Sequence, residues 1–159
     1  MQLYHFTDPR NLESIKHFGL MSWQQLIQRD IGHFPGSDND SRRIDARKCL
    51  ENYVHLCLRP EHSMAELAVK QKRIKSFVWL TIDSRVIRLE STQFSDQNAT
   101  ANAAIINHDP RTALASKNPR AEVLVEGSIS LQCISFPSEV LPGILGKNDS
   151  INMVDPITF

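Results

Sequence analysis

The sequence predicts an α+β domain, with helices gathered near the N-terminus and mostly antiparallel strands after them. Helix signals of 3.6-residue periodicity crowd the first third of the chain and strand signals dominate the rest, without the strand-helix alternation of a parallel sheet. No Gly-x-Gly-x-x-Gly or Gly-x-x-x-x-Gly-Lys-Ser/Thr run is present and no internal repeat is visible, which argues against a doubly wound nucleotide fold. With 159 residues and 41% hydrophobic content, the chain has the size of one domain, 1–159, able to bury a substantial core.

Tyr4-His5-Phe6-Thr7 opens the chain as a strand in which His5 and Thr7, two apart, share one face. Asp8-Pro9 is an N-cap followed by a first-turn proline, and Leu12, Ile15 and Phe18 form a helical stripe that ends at Gly19. Ser22 and Gln25 have capping-box spacing and open a second short helix through Leu26 and Ile27, which stops near Gly32. Residues 33–41 are rich in turn formers and poor in aliphatics, hence a loop. A loop of that length in a small domain is either disordered or a binding lid, and its exit, Arg42-Arg43 with Arg47-Lys48, favours the lid.

Residues 53–58 alternate, placing Val54, Leu56 and Leu58 on one strand face, and Arg59-Pro60 ends the strand. Ser63 with Glu66 makes another capping box, and Met64, Leu67 and Ala68 give that helix its core face. Residues 77–82 carry the strongest strand pattern, and Asp83-Ser84 turns toward a further strand at 86–89. The Ala-rich stretch 98–106 is read as a helix broken by Asn107-His108-Asp109-Pro110. Strands resume at 122–125 and 132–136, with Glu126-Gly127 between them. Pro137, Pro142, Gly143, Gly146 and Pro156 make the C-terminal segment a loop with short elements.

Eighteen basic and eighteen acidic residues cancel, so no global field draws in nucleic acid or membrane. Two local clusters remain: Arg42-Arg43 with Arg47-Lys48, able to hold phosphates, and Lys70 with Lys72-Arg73-Lys75, read as a solvated helix face. No apolar run is long enough to span a bilayer and no signal-peptide pattern follows Met1, so a cytoplasmic location without membrane association is expected. Cys49, Cys57 and Cys133 are odd in number and lack metal-ligand spacing, which argues against a disulfide framework and a zinc site; no metal is expected. There is likewise no Gly-x-Ser-x-Gly elbow and no recognisable catalytic setting for a cysteine, so a serine or cysteine hydrolase is poorly supported.

Glu122 heads an otherwise apolar strand more than a hundred residues after His5, and the two can meet only across a folded cleft. A carboxylate there can stabilise a developing cation and accept a proton. Tyr4-His5-Phe6-Thr7 with Asn11-Leu12-Glu13-Ser14-Ile15, Arg43-Ile44-Asp45, Phe94-Ser95-Asp96-Gln97-Asn98-Ala99 and Ala121-Glu122-Val123-Leu124-Val125 together resemble the motifs of the DarT family, over roughly residues 1 to 136. The resemblance implies a split β-sandwich of antiparallel strands around an NAD cleft, and an ADP-ribosyltransferase toxin that modifies a base of single-stranded DNA. NAD is then a co-substrate, and a macrodomain-type antitoxin a possible partner. Glu122 and Arg43 would be catalytic; His5 and Thr7 would hold nicotinamide and its ribose, with Asn11 and Asn98 beside them. Arg42, Arg47 and Lys48 would meet the DNA.

The chain departs from the family at 53–58, Tyr53-Val54-His55-Leu56-Cys57-Leu58, where aromatic-rich sequence is common in relatives, and in its neutral charge. Both bear on the acceptor more than on the NAD chemistry. The alternatives are an RNA-directed ADP-ribosyltransferase or a 2′-phosphotransferase on the same fold, or a non-catalytic nucleic-acid binding module. The lone Glu122 favours base transfer over phosphate transfer, and retention of both Glu122 and His5 speaks against the module.

Overall fold

The structure is a computed structural model and describes residues 1–60 and 63–138. Pro142, Gly143, Gly146 and Pro156, where the sequence predicts loop, lie outside the described residues. In chain order, β1 (Gln2–Thr7) passes through a 3-10 turn at Pro9–Asn11 into α1 (Leu12–Phe18), then β2 (Leu20–Met21), α2 (Trp23–Gln28) and α3 (Asn39–Arg47). The middle holds β3 (Tyr53–Cys57), α4 (Ser63–Lys70), β4 (Val78–Asp83), β5 (Gln93–Ser95) and β6 (Ile106–Asn107). α5 (Arg111–Leu114), β7 (Glu122–Glu126), β8 (Ser128–Ile129) and β9 (Ile134–Ser135) complete the described part.

Seven strands form one sheet in the order β6-β5-β7-β3-β1-β4-β9, and β2 with β8 forms a two-stranded ribbon. Every pairing among the described residues is antiparallel. β1 and β4 pair from Gln2↔Asp83 to Thr7↔Val78, and β3 and β7 from Tyr53↔Glu126 to Cys57↔Glu122. Between those two blocks β1 and β3 share a single register position, Tyr4↔Cys57. The sheet is therefore split at β1/β3, and the fold is the mixed helix and antiparallel-sheet architecture that the sequence predicts, with the split that the family resemblance implied. The larger core joins Leu3, Leu80 and Ile82 from one block to Val54, Leu56, Phe94, Val123 and Val125 from the other, capped by Leu12 and Ile15 of α1. On the opposite side of β7, Leu124 packs with Leu50 and Ala99. Burial on both faces explains why Val123-Leu124-Val125 is continuously apolar rather than alternating.

Several elements depart from the sequence expectation for identifiable reasons. Phe18 is 47% exposed, because about 100° per residue carries the third member of an i, i+3, i+6 series roughly 120° from the first. α2 stops at Gln28, four residues before Gly32. The loop is shorter than 33–41: Asp38 Oδ1 accepts from the Ser41 amide at 2.7 Å and starts α3, so Arg42, Arg43 and Arg47 ride a helix. α4 buries Ala65 and Ala68 instead of Leu67. The strand expected at 86–89 is a 3-10 turn, Ser84–Arg88, capped by Asp83. Its backbone is taken locally: Asp83 Oδ1 accepts from the Arg85 amide, and the Thr92 hydroxyl donates to the Val86 carbonyl. No helix forms over 98–106, because its backbone is engaged elsewhere. Asn98 Oδ1 accepts from the Thr100 amide, and the Ala99 and Ala101 carbonyls, which a helix would use internally, accept from Lys48 Nζ. The strand expected at 132–136 shortens to β9 after a 3-10 turn at Leu131–Cys133.

Gly19 takes φ +82° and ψ −178°, and a Cβ there would lie 2.6 Å from the Ile129 carbonyl oxygen. Only glycine accepts that backbone at low cost, and its missing side chain lets the β2/β8 ribbon close. Gly19→Ala is expected to destabilise the protein by at least about 1–3 kcal/mol through strain, read as a lower denaturant midpoint. An unchanged midpoint would contradict this account.

Candidate active site

Where β1 and β3 diverge, a cleft opens, lined by His5 and Thr7 of β1, Asn11, loop residues 33–37, Arg42 and Asp45 of α3, His55 of β3, Asn98 and Glu122. The single shared register position is what opens it: two strands that stop pairing leave backbone groups that side chains must satisfy. His5 Nδ1 lies 3.0 Å from the His55 carbonyl, bridging the seam in place of a ladder bond. A carbonyl only accepts, so Nδ1 carries the proton. Burial lowers the His5 pKa, the bond to the carbonyl opposes this in part, and the nearby His55 charge adds to the lowering. The neutral ring therefore offers Nε2 as an acceptor.

Asn11 ties the cleft wall to the loop above it. Its amide nitrogen donates to Thr7 Oγ1 at 3.1 Å and to the Phe34 carbonyl at 2.8 Å, while its oxygen accepts from the Phe34 amide at 2.8 Å. The Arg10 guanidinium, doubly bonded to Asp8, sits 3.6 Å over the Phe34 ring, and Arg73 donates to the Gly36 carbonyl. Gly36 lies so close to the Phe6 ring that a Cβ would meet it at 2.6 Å. The loop is thus pinned over the cleft at Phe34 and Gly36.

Glu122 is 6% exposed. Its Oε2 accepts from the Ala99 amide at 3.0 Å and from His55 Nδ1 at 3.2 Å. The 3.9 Å gap from His55 Nε2 to Asp45 Oδ1 is too long for a hydrogen bond. Burial alone would lower the His55 pKa, but the bond and charge of Glu122, joined by the Asp45 charge and a bond to the Leu50 backbone, outweigh it and raise the value. Burial, with the charges of Glu122 and Glu51, raises the Asp45 pKa against His55 and Lys48. Cys57, directly opposite Glu122, is pushed far up by burial and then by Glu122, which leaves it an inert thiol.

The arginines separate by one residue. Arg42 lines the cleft: its guanidinium lies 4.2 Å over the Trp23 ring, Nε donates to Ser37 Oγ and Nη2 to the Ser37 carbonyl. The structure does not bring Arg43 to the cleft; its side chain is 78% exposed, 3.6 Å from Asp40. Arg43 and Arg47 line a shallow depression on the outer side of α3. Lys48 turns inward to the Ala99 and Ala101 carbonyls. Asn98 lines the cleft while its oxygen caps Thr100. Among the described residues, His33 Nε2, Asp45 Oδ1 and Glu51 Oε2, all on lining residues, are buried without a hydrogen-bond partner. Buried polar atoms are rarely left so, and this mixed set suits a ligand carrying hydroxyl and amide groups.

Residues 4–118 match the family model for DarT, described as an ssDNA thymidine ADP-ribosyltransferase. The chain belongs to the DarT family. DarT structures share its fold: "Thermosipho africanus DarTG in complex with ADP-ribose" superposes with a TM-score of 0.73 at 19% identity, covering 84% of this chain and 42% of that one. Thermus sp. 2.9 DarT in complex with ADP-ribosylated ssDNA gives 0.62 at 15% identity, over 87% of this chain and 83% of that one. The same DarT with NAD+ gives 0.61 at 16% identity over the same shares. This chain spans less than half the length of the DarTG chain. No curated protein matches it in sequence. The DarT match ends before Glu122, so the place of that residue in the site rests on geometry. Sequence reasoning overlooked His55, Asp45, Trp23 and His33. The one local signal was a histidine on the strand face opposite Val54 and Leu56, where an apolar residue would suit burial better.

Proposed function

We propose that the protein transfers ADP-ribose from NAD to the thymine base of single-stranded DNA. Glu122 carries this reading: a buried carboxylate in a cleft shared with His5 and Thr7, in a chain of a family described by that activity. NAD supplies an anomeric carbon whose bond to nicotinamide breaks with the electron pair leaving on the ring. Glu122 faces the positive charge that develops there and accepts the proton that the attacking base nitrogen loses. His5, through Nε2, and the Thr7 hydroxyl are placed to hold the carboxamide and ribose, while Asn11 keeps the Phe34 loop closed over them. Arg42 is the arginine suited to the phosphates, because its fork is already oriented by Trp23 and Ser37. Arg43 and Arg47, on the outer side of α3, are left to meet flanking DNA phosphates.

In this reading the protein works in the cytoplasm as a toxin, opposed by a macrodomain-type antitoxin. Among the described residues no helix is long and apolar enough to cross a membrane. Incubating the protein with NAD and equal amounts of single-stranded DNA, duplex DNA and RNA, followed by mass spectrometry, tests the acceptor. Single strands should gain ADP-ribose fastest, since a base within a duplex must first be unstacked. With a formal charge of zero, DNA affinity should be modest and should fall with salt. Duplex modified as fast as single strand, or RNA in preference to DNA, would overturn the proposed acceptor.

A further inference from the structure

We propose that His55, held between Glu122 of β7 and Asp45 of α3, is a positioning residue that fixes the Glu122 carboxylate for transfer and does so as a cation. The proposal rests on the transferase reading above. Its basis is sheet register. Cys57 stands opposite Glu122 and His55 opposite Leu124, so His55 and Glu122 are diagonal neighbours on one face of the β3/β7 pair, a spacing that long side chains bridge. The His55 ring and the Ala99 amide both donate to Oε2, and two donors on one oxygen set the plane and torsions of the carboxylate. On the ring's far side, beside the Leu50 backbone, Nε2 lies 3.9 Å from Asp45 Oδ1, which is buried without a hydrogen-bond partner among the described residues. An approach of about 1 Å by α3 makes that gap a charge-assisted hydrogen bond.

The groups around the ring favour its charged form. Glu122 faces it from β7 and Asp45 from α3, with Glu51 and Lys48 beside Asp45, His5 across the seam on β1 and Cys57 on its own strand. The Lys48 ammonium is engaged by the Ala99 and Ala101 carbonyls. His5 is held neutral by burial, and Cys57 stays a thiol. The two nearest carboxylates raise the His55 pKa despite burial, so the imidazolium is present below that raised value and is lost as pH rises through it. Transfer should therefore decline on the alkaline side. A neutral ring can still donate to Oε2 through Nδ1, but with roughly half the strength of a charged one.

The test combines histidine-15N NMR titration of the full chain with pH profiles of kcat and KM for NAD, in wild type, His55→Gln and Asp45→Asn. The expected result is one imidazole titrating above about 6.5, the ordinary value, whose resonances vanish in His55→Gln and whose pKa falls in Asp45→Asn. The alkaline limb of kcat should move to lower pH in Asp45→Asn and disappear in His55→Gln. That variant should lose about 100-fold in kcat from misplacement of the carboxylate, with KM for NAD little changed. A His55 that titrates at or below the ordinary value in an active enzyme, or a limb unmoved by Asp45→Asn, overturns the inference and leaves the transferase reading intact. Absence of transfer by the wild type, with the NMR result as expected, overturns the transferase reading itself. If His55→Gln does not fold, the partly exposed Asp45→Asn supplies the same readouts.

Discussion

Glu122→Gln is expected to lower the rate of ADP-ribose transfer by about 10²–10⁴-fold while leaving the fold and NAD affinity nearly unchanged. The amide keeps the shape of the carboxylate and can still accept from the Ala99 amide, so the bond that seats the residue survives. In the proposed reaction it loses the negative charge that would face the developing cation and the basicity that would take the proton from the base nitrogen. Single-turnover rates, NAD titration calorimetry and thermal melting separate these effects. Growth arrest on expression of the wild type, absent with the variant, is the matching cellular result. Wild-type turnover in the variant would remove Glu122 from the reaction.

Phe94→Ala should cost about 3–5 kcal/mol of folding stability. Phe94 is 1% exposed and lies on β5 directly opposite Val123, in the core that joins the two blocks of the split sheet. Truncating it opens a cavity in the core cluster that Phe94 shares with Val123, Leu3 and Leu80. Because total stability for a domain of this size is about 5–15 kcal/mol, the variant should lose a large part of it. Urea denaturation should show a lower midpoint with an unchanged slope. Leu89→Ala, at a side chain 50% exposed, should by contrast stay within about 0.5 kcal/mol of wild type. Equal midpoints for the two variants would contradict this picture of the core. Ser95, the next residue along β5, stands opposite Glu122, so active molecules should decline with the folded fraction.

Much of the fold was legible because its signals are short in range. The Asp8 and Ser22 caps, the Gly19 stop and the alternation of Val54 and Leu56 each depend on residues a few positions apart, and each appears where the sequence put it. The failures also have local form but distant causes. The Ala-rich 98–106 segment has helical composition, yet Lys48 takes two of its carbonyls and Glu122 takes its Ala99 amide, from 51, 53 and 23 residues away. Residues 86–89 have strand composition, but the Val86 carbonyl is taken by the Thr92 hydroxyl six residues on.

For the site, the residue types were open to a one-dimensional reading: His5 and Thr7 on one strand face, a lone Glu122 heading an apolar strand, and a run of arginines after a turn-rich stretch. How they meet follows from contacts between elements far apart in the chain. Which arginine enters the cleft depends on α3 starting at Asn39 and on Trp23 lying beneath Arg42; since each helical residue turns about 100°, the next arginine in sequence points to solvent. The contact of His55 with Glu122 spans 67 residues and follows from the register of β3 on β7, a relation between two strands that neither strand's own sequence contains.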